Sequence, residues 1–174
     1  GPPYPPIIKQ VQAQAKAAGY WAFHLPKAAG GAGLPFMHYV FVNEILGRSP
    51  FAPAACGSQA PDSGNAEILW RYGTDEQKAR WLKPLVEGDL RSCFSMTEPE
   101  VAGSDPRLLR TTAKRDGDDY VINGHKWFTS GAHGASFAIV MAMTNPEQES
   151  PYLRFSQIIV PTDTPGFKIA RGVP

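Results

Sequence analysis

The feature that most constrains the fold of this chain is a change of pattern near residue 89. Before that point, segments such as 7–18 and 62–73 have good helix-forming composition and end at glycine, so they predict helices. After it, short runs of β-branched and aromatic residues alternate with turn residues and predict strands. Helices followed by strands favour an α+β fold over an alternating α/β fold.

Residues 1–89 are predicted to form an all-helical N-terminal domain. Gly19 is placed to end its first helix, because glycine adopts the left-handed conformation that terminates helices. Residues 21–35 contain three glycines and two prolines and are predicted to be a loop. The strongly apolar segment 36–46 predicts a mostly buried helix that ends at Gly47.

The last helix of this half carries its own start signal. Thr74 and Gln77 have the form of a capping box, in which each side chain bonds the backbone N–H of the other residue. Pro84 lies inside the following segment, so this helix should kink or end early. Its predicted apolar face consists of Trp81, Leu82, Leu85 and Val86.

Residues 90–174 are predicted to form a second domain of short strands. Segments 108–114 and 120–122 flank an Asp116-Gly117 dipeptide, which is a hairpin signal. Asn123-Gly124 marks another tight turn. Short strands at this spacing favour a sandwich or a barrel. The remaining predicted strands are 91–96, 125–130, 137–143 and 155–160.

Composition excludes several classes of protein. With 43% hydrophobic and 19% charged residues, the chain has enough apolar side chains to fold. A net charge of +1 supplies no broad basic surface, so nucleic acid is not an expected partner. Two cysteines and four histidines without ligand spacing predict no metal site. Apolar runs are far shorter than the ~20 residues of a membrane helix, and the simplest expectation is an intracellular soluble protein.

Two segments are candidates for chemistry. Residues 94–105 run from a strand into a loop whose N–H groups and hydroxyls suit a planar heterocycle or a phosphate. An ordinary Pro/Gly loop is the simpler alternative. In residues 124–131, strand alternation would send Trp127 and Phe128 to opposite faces, so that one ring could be a ligand wall. Ordinary aromatic packing in a sheet is the alternative there.

Taken together, these two segments resemble the acyl-CoA dehydrogenase family. Residues 96–99 (Met-Thr-Glu-Pro) and 102–105 (Ala-Gly-Ser-Asp) are similar to its first signature. Residues 116–131 are similar to its hairpin and flavin-facing strand. Motifs in the helical half fit as well, so the resemblance covers nearly the whole chain. Residues 60–65 and Trp127-Phe128 most resemble the branch fused to sugar-kinase-like phosphotransferase domains.

The resemblance implies an architecture of three domains. Residues 1–89 would be the helical N-terminal domain, and residues 90–174 would be an incomplete middle β-barrel domain. The C-terminal four-helix domain has no counterpart in this sequence, so the chain alone is expected to be inactive. The complete protein would be a homodimer or homotetramer. It would lie in the cytoplasm of a bacterium or in the matrix of a mitochondrion or peroxisome.

The resemblance also implies a reaction. FAD would be the cofactor and an acyl-CoA thioester the substrate. A carboxylate base takes the α proton while a hydride passes from Cβ to flavin N5, and an electron-transferring flavoprotein is the usual acceptor. We assign no catalytic base, because the family carries it in or near the part without a counterpart here. Glu98 is interpreted as a structural loop carboxylate.

Site residues follow from the same resemblance. The backbone of Met96 and the hydroxyl of Thr97 would bond the pyrimidine edge of the flavin. Ser104 is the candidate for contact with CoA, Phe128 would pack on the isoalloxazine, and Ser130 would lie near N5. The cofactor-binding candidates are Phe94, Ser95, Met96, Thr97, Gly103, Ser104, Phe128, Thr129 and Ser130.

Two functional alternatives stay open at this point. One is a flavin-dependent oxidase or monooxygenase of the same superfamily. The other is a non-catalytic partner subunit that completes a flavin site with another chain. The register of the signature loop is also open at Val101 and Ala102, because Glu100-Val101 is one residue longer than the gap in many family members.

Overall fold

The computed structural model describes residues 5–103 and 105–172. The chain forms two compact units that divide between Arg91 and Ser92. The first unit is helical and the second is built on a sheet, which confirms the α+β class. None of the helices within these described ranges has the length and apolar character needed to cross a membrane.

The helical unit contains six α-helices among its described residues. A 3₁₀ turn, Lys27–Ala29, lies in the loop between the first two, and a π-helical turn, Lys78–Leu82, lies between the last two. The helices are α1 (Ile7–Ala17), α2 (Phe36–Leu46), α3 (Ala52–Ala55), α4 (Asp62–Tyr72), α5 (Asp75–Gln77) and α6 (Lys83–Val86).

Gly19 ends α1 as predicted. Its φ is +76°, and its N–H donates to the Lys16 carbonyl at 3.0 Å. The next residue, Tyr20, donates to the Ala15 carbonyl at 2.8 Å. The chain then turns sharply to bury Trp21, whose indole N–H donates to the Val86 carbonyl at 2.8 Å. One buried aromatic residue thereby joins both ends of the unit.

The start of the last helical segment also agrees with the sequence. The Gln77 N–H donates to Thr74 Oγ1 at 3.2 Å, and the Thr74 N–H donates to Gln77 Oε1 at 2.9 Å. Pro84 does not end the helix, which continues to Val86. The π-helical turn immediately before Pro84 relieves the clash between its ring and the preceding turn.

Helix α2 differs from its predicted burial. Leu46 is its one buried residue, because a helix that is apolar all round can bury only the side that has neighbours. On the other side, none of the described residues of the helical unit covers the large apolar side chains. The exposed apolar residues of α2 are Phe36, Met37, Val40, Phe41 and Ile45.

The second unit is a single mixed sheet of five strands, in agreement with the expectation of a partial β domain. The strands are β1 (Ser92–Ser95), β2 (Thr112–Asp116), β3 (Asp119–Asn123), β4 (Phe137–Met143) and β5 (Phe155–Pro161). The central strand, β4, pairs in parallel with β1 and β2 and antiparallel with β5.

Strand β4 carries the core of this unit. Its side chains alternate between the two faces, and residues 137–140 are buried on both. Ala138 and Val140 pack with Cys93 and Ala135 on one of them. The hairpin predicted between β2 and β3 is present, with Asp116 opposite Asp119. Its two-residue turn begins at Gly117, whose φ is +61°.

Candidate functional site

The two segments singled out in the sequence lie side by side in the sheet unit. After β1 ends at Ser95, the chain continues through Met96 and Thr97. The Trp127 N–H donates to the Thr97 carbonyl at 2.8 Å. This bond joins the strand-to-loop segment 94–97 to the aromatic segment 124–131.

The prediction of a strand at 125–130 is wrong. Phe128 has a φ of +53°, in the left-handed region that a bulky residue rarely adopts. The Ser130 N–H donates to the Phe128 carbonyl at 2.9 Å, which closes a tight turn instead of a ladder. The alternation argument therefore fails, and the rings of Trp127 and Phe128 meet edge to face with centroids 5.3 Å apart.

Phe128 combines backbone strain with exposure. Its residue surface is 65% accessible, while Trp127 beside it is half-buried. The guanidinium of Arg171 lies over the Trp127 ring, 5.3 Å from its centroid, at a cation–π distance. A strained residue that presents a large aromatic side chain is typical of a ligand site rather than of a core.

The first segment supplies polar groups close to this aromatic pair. Phe94 and Met96 are half-buried, and Ser95 is buried. Thr97 is half-buried, and its hydroxyl and its N–H have no hydrogen-bond partner among residues 5–103 and 105–172. A hydroxyl and an N–H of one residue, both without a partner among the described residues, can bond the edge of a heterocycle.

Gly103 is needed because the loop folds back on itself. A Cβ at this buried position would lie 2.6 Å from Thr97 Cγ2 and 3.0 Å from the Glu98 nitrogen. The loop that follows the Met-Thr-Glu-Pro segment (residues 96–99) is thus held against residues 97–98. Ser104, the candidate for substrate contact, lies outside the described residues, and its role stays a prediction.

Glu98 is a buried carboxylate at the centre of this region, with 3% of its surface accessible. It accepts the backbone N–H of Arg110 at 2.6 Å and that of Thr111 at 2.8 Å. The Thr111 hydroxyl donates to it at 2.5 Å and the Lys126 ammonium at 2.9 Å. Four donors therefore hold the Glu98 carboxylate in place, as a structural role requires.

The electrostatics of Glu98 support the same interpretation. Burial raises the pKa of its carboxyl group, but the hydrogen bonds from Thr111, Arg110 and Lys126 outweigh burial and lower that pKa to about 2. A general base needs a pKa near the working pH and a free lone pair aimed at the proton it takes. Glu98 is therefore unsuited to be the catalytic base.

Lys126 is the residue of this region that sequence reasoning missed. Its ammonium donates to the Met96 carbonyl and to Glu98 Oε1, each at 2.9 Å. Burial lowers the pKa of the Lys126 ammonium, and the bond to Glu98 opposes that change. The signal in the sequence that could have indicated this pair was an acidic residue, Glu98, in one motif and a basic residue, Lys126, in the other.

Gly124 explains how Lys126 reaches this position. A Cβ at residue 124 would overlap the Thr111 side chain, so only glycine lets the chain pass this close to the start of β2. Of the remaining candidates, Thr129 is half-buried and Ser130 is exposed. The structure therefore brings both segments into one region, which contains an exposed aromatic ring, the N–H and hydroxyl of Thr97 and a buried ion pair.

This combination suits a flat, aromatic ligand with a polar edge. An exposed Phe128 ring can stack on such a ligand, and Thr97 can bond its edge. Among the residues that the structure describes, no cluster of three or more His, Cys, Asp or Glu side chains is placed to hold a metal ion.

Comparison with known proteins defines the family. The family model of the acyl-CoA dehydrogenase N-terminal domain matches residues 4–89, and that of the acyl-CoA dehydrogenase middle domain matches residues 93–173. The chain belongs to the acyl-CoA dehydrogenase family.

Two curated relatives show which members are similar. FadE2 of Mycobacterium tuberculosis, named as an acyl-CoA dehydrogenase, is 47% identical over 98% of this chain and 42% of its own length. Acyl-CoA dehydrogenase family member 11 of Gallus gallus is 46% identical over 96% of this chain and 21% of its own length. The chain thus spans less than half of each relative. Proteins named acyl-CoA dehydrogenase family member 11 and family member 10 are among the matched relatives, in agreement with the predicted branch.

Solved structures give the same result. A Mycobacterium abscessus protein described as an acyl-CoA dehydrogenase superposes with a TM-score of 0.94 at 46% identity, over 98% of this chain and 42% of that one. A glutaryl-CoA dehydrogenase of Mycobacterium smegmatis, solved in complex with FADH2, superposes with a TM-score of 0.60 at 30% identity. That match covers 91% of this chain and 40% of the other.

Proposed function

We propose that this chain is part of an FAD-dependent acyl-CoA dehydrogenase and carries part of its flavin site. Residues 1–89 would be the N-terminal domain, and residues 90–174 would be the first portion of the middle domain. The observation that carries the proposal is the strained, exposed Phe128 next to Trp127, whose N–H bonds Thr97, a residue with no partner for its own N–H and hydroxyl among residues 5–103 and 105–172. A related dehydrogenase solved with FADH2 supports the choice of cofactor.

Each site residue has a proposed contact with the cofactor. Phe128 packs on the isoalloxazine, and Phe94 and Ser95 line the site below it. The Met96 backbone and the Thr97 hydroxyl bond the pyrimidine edge. Gly103 allows the loop to approach, and Ser104 contacts CoA. Thr129 and Ser130 lie near flavin N5.

Bound FAD would supply the hydride acceptor, and the residues of this chain would bind and orient it. Trp127 packs against Phe128 and Arg171 packs on Trp127, so the aromatic wall would not need to rearrange when the ligand binds. The aromatic wall also excludes water from the face that it covers. The polar groups of Met96 and Thr97 at the pyrimidine edge would set the position of the isoalloxazine ring.

Glu98 is unsuited to take the α proton, because it already accepts four hydrogen bonds. We therefore place the catalytic base in the part of the complete polypeptide beyond this sequence, as the greater length of the relatives allows. The acyl-CoA substrate, the electron-transferring flavoprotein as acceptor, the homo-oligomer and a cytoplasmic or organellar-matrix location belong to the same proposal.

The visible absorption spectrum tests the proposal directly. The complete gene product and the 174-residue chain should be purified in parallel. We expect flavin absorbance in the complete product and little or none in the short chain, since the short chain holds half a site. Absence of flavin from both would overturn the proposal.

A matched pair of variants connects the cofactor to the proposed site. Phe128→Ala in the complete product should lower the flavin content, because it removes the stacking surface. Tyr120→Ala is the control, since Tyr120 is also a half-exposed aromatic of the sheet unit but lies on the hairpin strand β3. Equal flavin content in the two variants would contradict the proposed role of Phe128.

The choice of electron acceptor separates the alternative chemistry. A dehydrogenase should oxidise acyl-CoA with an artificial acceptor under nitrogen, and much more slowly with oxygen alone. Faster turnover with oxygen would favour a flavin-dependent oxidase or monooxygenase. A gene that ends at Pro174 would favour a non-catalytic partner subunit.

A further inference from the structure

We infer that Lys126 and Glu98 are positioning residues of the proposed flavin site. They form a buried ion pair that fixes how the site presents Thr97 and Phe128 to the cofactor. This inference rests on the proposed function for the identity of the ligand. It goes beyond that function by assigning a role to two residues that do not themselves need to touch the flavin.

The pair joins three segments that are distant in the sequence. Glu98 belongs to the strand-to-loop segment, Arg110 and Thr111 precede β2, and Lys126 belongs to the aromatic segment. Two of the four donors to Glu98 are backbone N–H groups, so the carboxylate fixes the path of the chain as well as side chains. Side-chain exposures of 12% for Lys126 and 2% for Glu98 show that water does not compete strongly for these bonds.

Lys126 sets the orientation of one particular peptide group. Its ammonium holds the Met96 carbonyl at 2.9 Å. In a trans peptide the N–H of the following residue points away from that carbonyl, so the Thr97 N–H is directed to the opposite side. A cation bonded to the carbonyl also polarises the peptide and makes this N–H a stronger donor. That N–H has no acceptor among the described residues, as a ligand contact requires.

The same lysine also constrains the backbone of Phe128. Lys126 is fixed through its side chain, and the next residue, Trp127, is fixed through its N–H to the Thr97 carbonyl. A left-handed, bulky residue persists only where its surroundings over-determine the backbone. Two consecutive anchors immediately before Phe128 meet that condition and fix the backbone from which its ring projects.

A purely structural pair would stabilise the fold without affecting the flavin. The test therefore measures the cofactor in folded protein. Lys126→Met in the complete gene product should weaken flavin binding about tenfold or more and shift both the flavin absorption bands and the reduction potential, since hydrogen bonds at the ring edge are misdirected. Lys126→Arg keeps the charge and should recover part of the affinity.

Two further variants keep the inference testable if Lys126→Met folds poorly. Thr111→Val removes the hydroxyl donor to Glu98 but keeps the ion pair, and we expect a several-fold loss of flavin affinity. Arg91→Met is the matched control, because it removes one partner of a buried ion pair in the helical unit. It should lower stability but leave flavin affinity and potential within twofold of the wild-type values.

The outcomes separate the two proposals. Flavin bound by the wild type, with unchanged affinity and potential in folded Lys126→Met or in Thr111→Val, would overturn the positioning role alone. A wild-type protein without flavin would overturn the proposed function and this inference together. A loss in the site variants that Arg91→Met does not share would support both.

Discussion

The two units of this chain each bury an ion pair, and the surroundings of the two pairs differ. In the helical unit, Arg91 Nε lies 2.6 Å from Asp62 Oδ2, and the Gln59 side chain donates to the same oxygen at 2.8 Å. In the sheet unit, Lys126 Nζ lies 2.9 Å from Glu98 Oε1, and Glu98 also receives two backbone N–H groups.

With the positioning role inferred above, the difference means that one kind of interaction serves two purposes. Asp62 lies in the first turn of α4, where the helix dipole favours a negative charge, so its pair strengthens the start of a helix. Glu98 depends on donors from two separate segments, Arg110 with Thr111 and Lys126. Its pair gives those segments one fixed arrangement, which is what a ligand site built from loops needs.

Breaking each pair from its cationic side gives the largest expected effects. Lys126→Met leaves a buried carboxylate without its counterion and should lower the free energy of unfolding by about 3–5 kcal/mol. Arg91→Met should cost less, about 2 kcal/mol, because the helix dipole and Gln59 still stabilise Asp62. Urea denaturation of both variants measures the two values. A smaller loss for Lys126→Met than for Arg91→Met would contradict the comparison.

The pH dependence of stability sharpens the contrast. The pKa of the Glu98 carboxyl is about 2 in the folded chain against 4.5 for an unperturbed group, so its ionised form stabilises the fold by about 3 kcal/mol above pH 4.5. That contribution is lost as the pH falls from 4.5 through 2, because the carboxyl takes up a proton in the unfolded chain while it stays ionised in the folded chain. The gap in stability between wild type and Glu98→Gln should narrow over this window. A constant gap would show that the charge of Glu98 is not its source.

Glycine substitutions extend the comparison to packing. Gly103→Ala places a methyl group 2.6 Å from Thr97 and should destabilise the sheet unit by about 1–3 kcal/mol. Gly64→Ala in α4 meets nothing within 4 Å and should stabilise the helical unit by up to about 1 kcal/mol. Thermal unfolding would register shifts of opposite sign. A Gly103→Ala variant with unchanged stability would mean that residues 97–98 can shift to accommodate the methyl group at little cost in free energy.

The smallest predicted effect concerns a local signal. Thr74→Ala removes one half of the capping box and should cost about 1 kcal/mol. Because the cap lies in the helical unit, flavin content should not change. Thr74→Ser keeps the hydroxyl and is the matched control, expected to retain most of the stability. A loss of flavin in Thr74→Ala would show that the helical unit affects the site more than its local contacts indicate.

Local patterns in the sequence predicted the features that local chemistry determines. The end of α1 at Gly19, the box at Thr74 and the hairpin turn at Gly117 each depend on a few adjacent residues, and all three are present. The long buried strand β4 was also predictable, because its apolar run is continuous. Family membership came from the combination of two motifs and their spacing, which composition does not reveal.

Features that depend on distant partners were not predictable in the same way. Residues 125–130 have strand-like composition, yet contacts of Lys126 and Trp127 with residues 96–98 impose a different backbone on Phe128. Helix α2 has the composition of a core helix, but burial depends on what packs against it. In the sequence Lys126 looks like a surface lysine, because a single sequence does not show that the residue will pair with the buried carboxylate of Glu98.

The parallel pairing of β1 with β4 controls when the site can form. Ser92 lies opposite Phe137, so the partners are about 45 residues apart in the sequence, and residues 94–130 lie within the loop that this pairing closes. Closing a loop of that length costs entropy before its contacts stabilise it, which makes this step slow. A ligand that bridges the two segments can engage only after the strands have met. Such a ligand would prolong the lifetime of the folded unit without accelerating its formation.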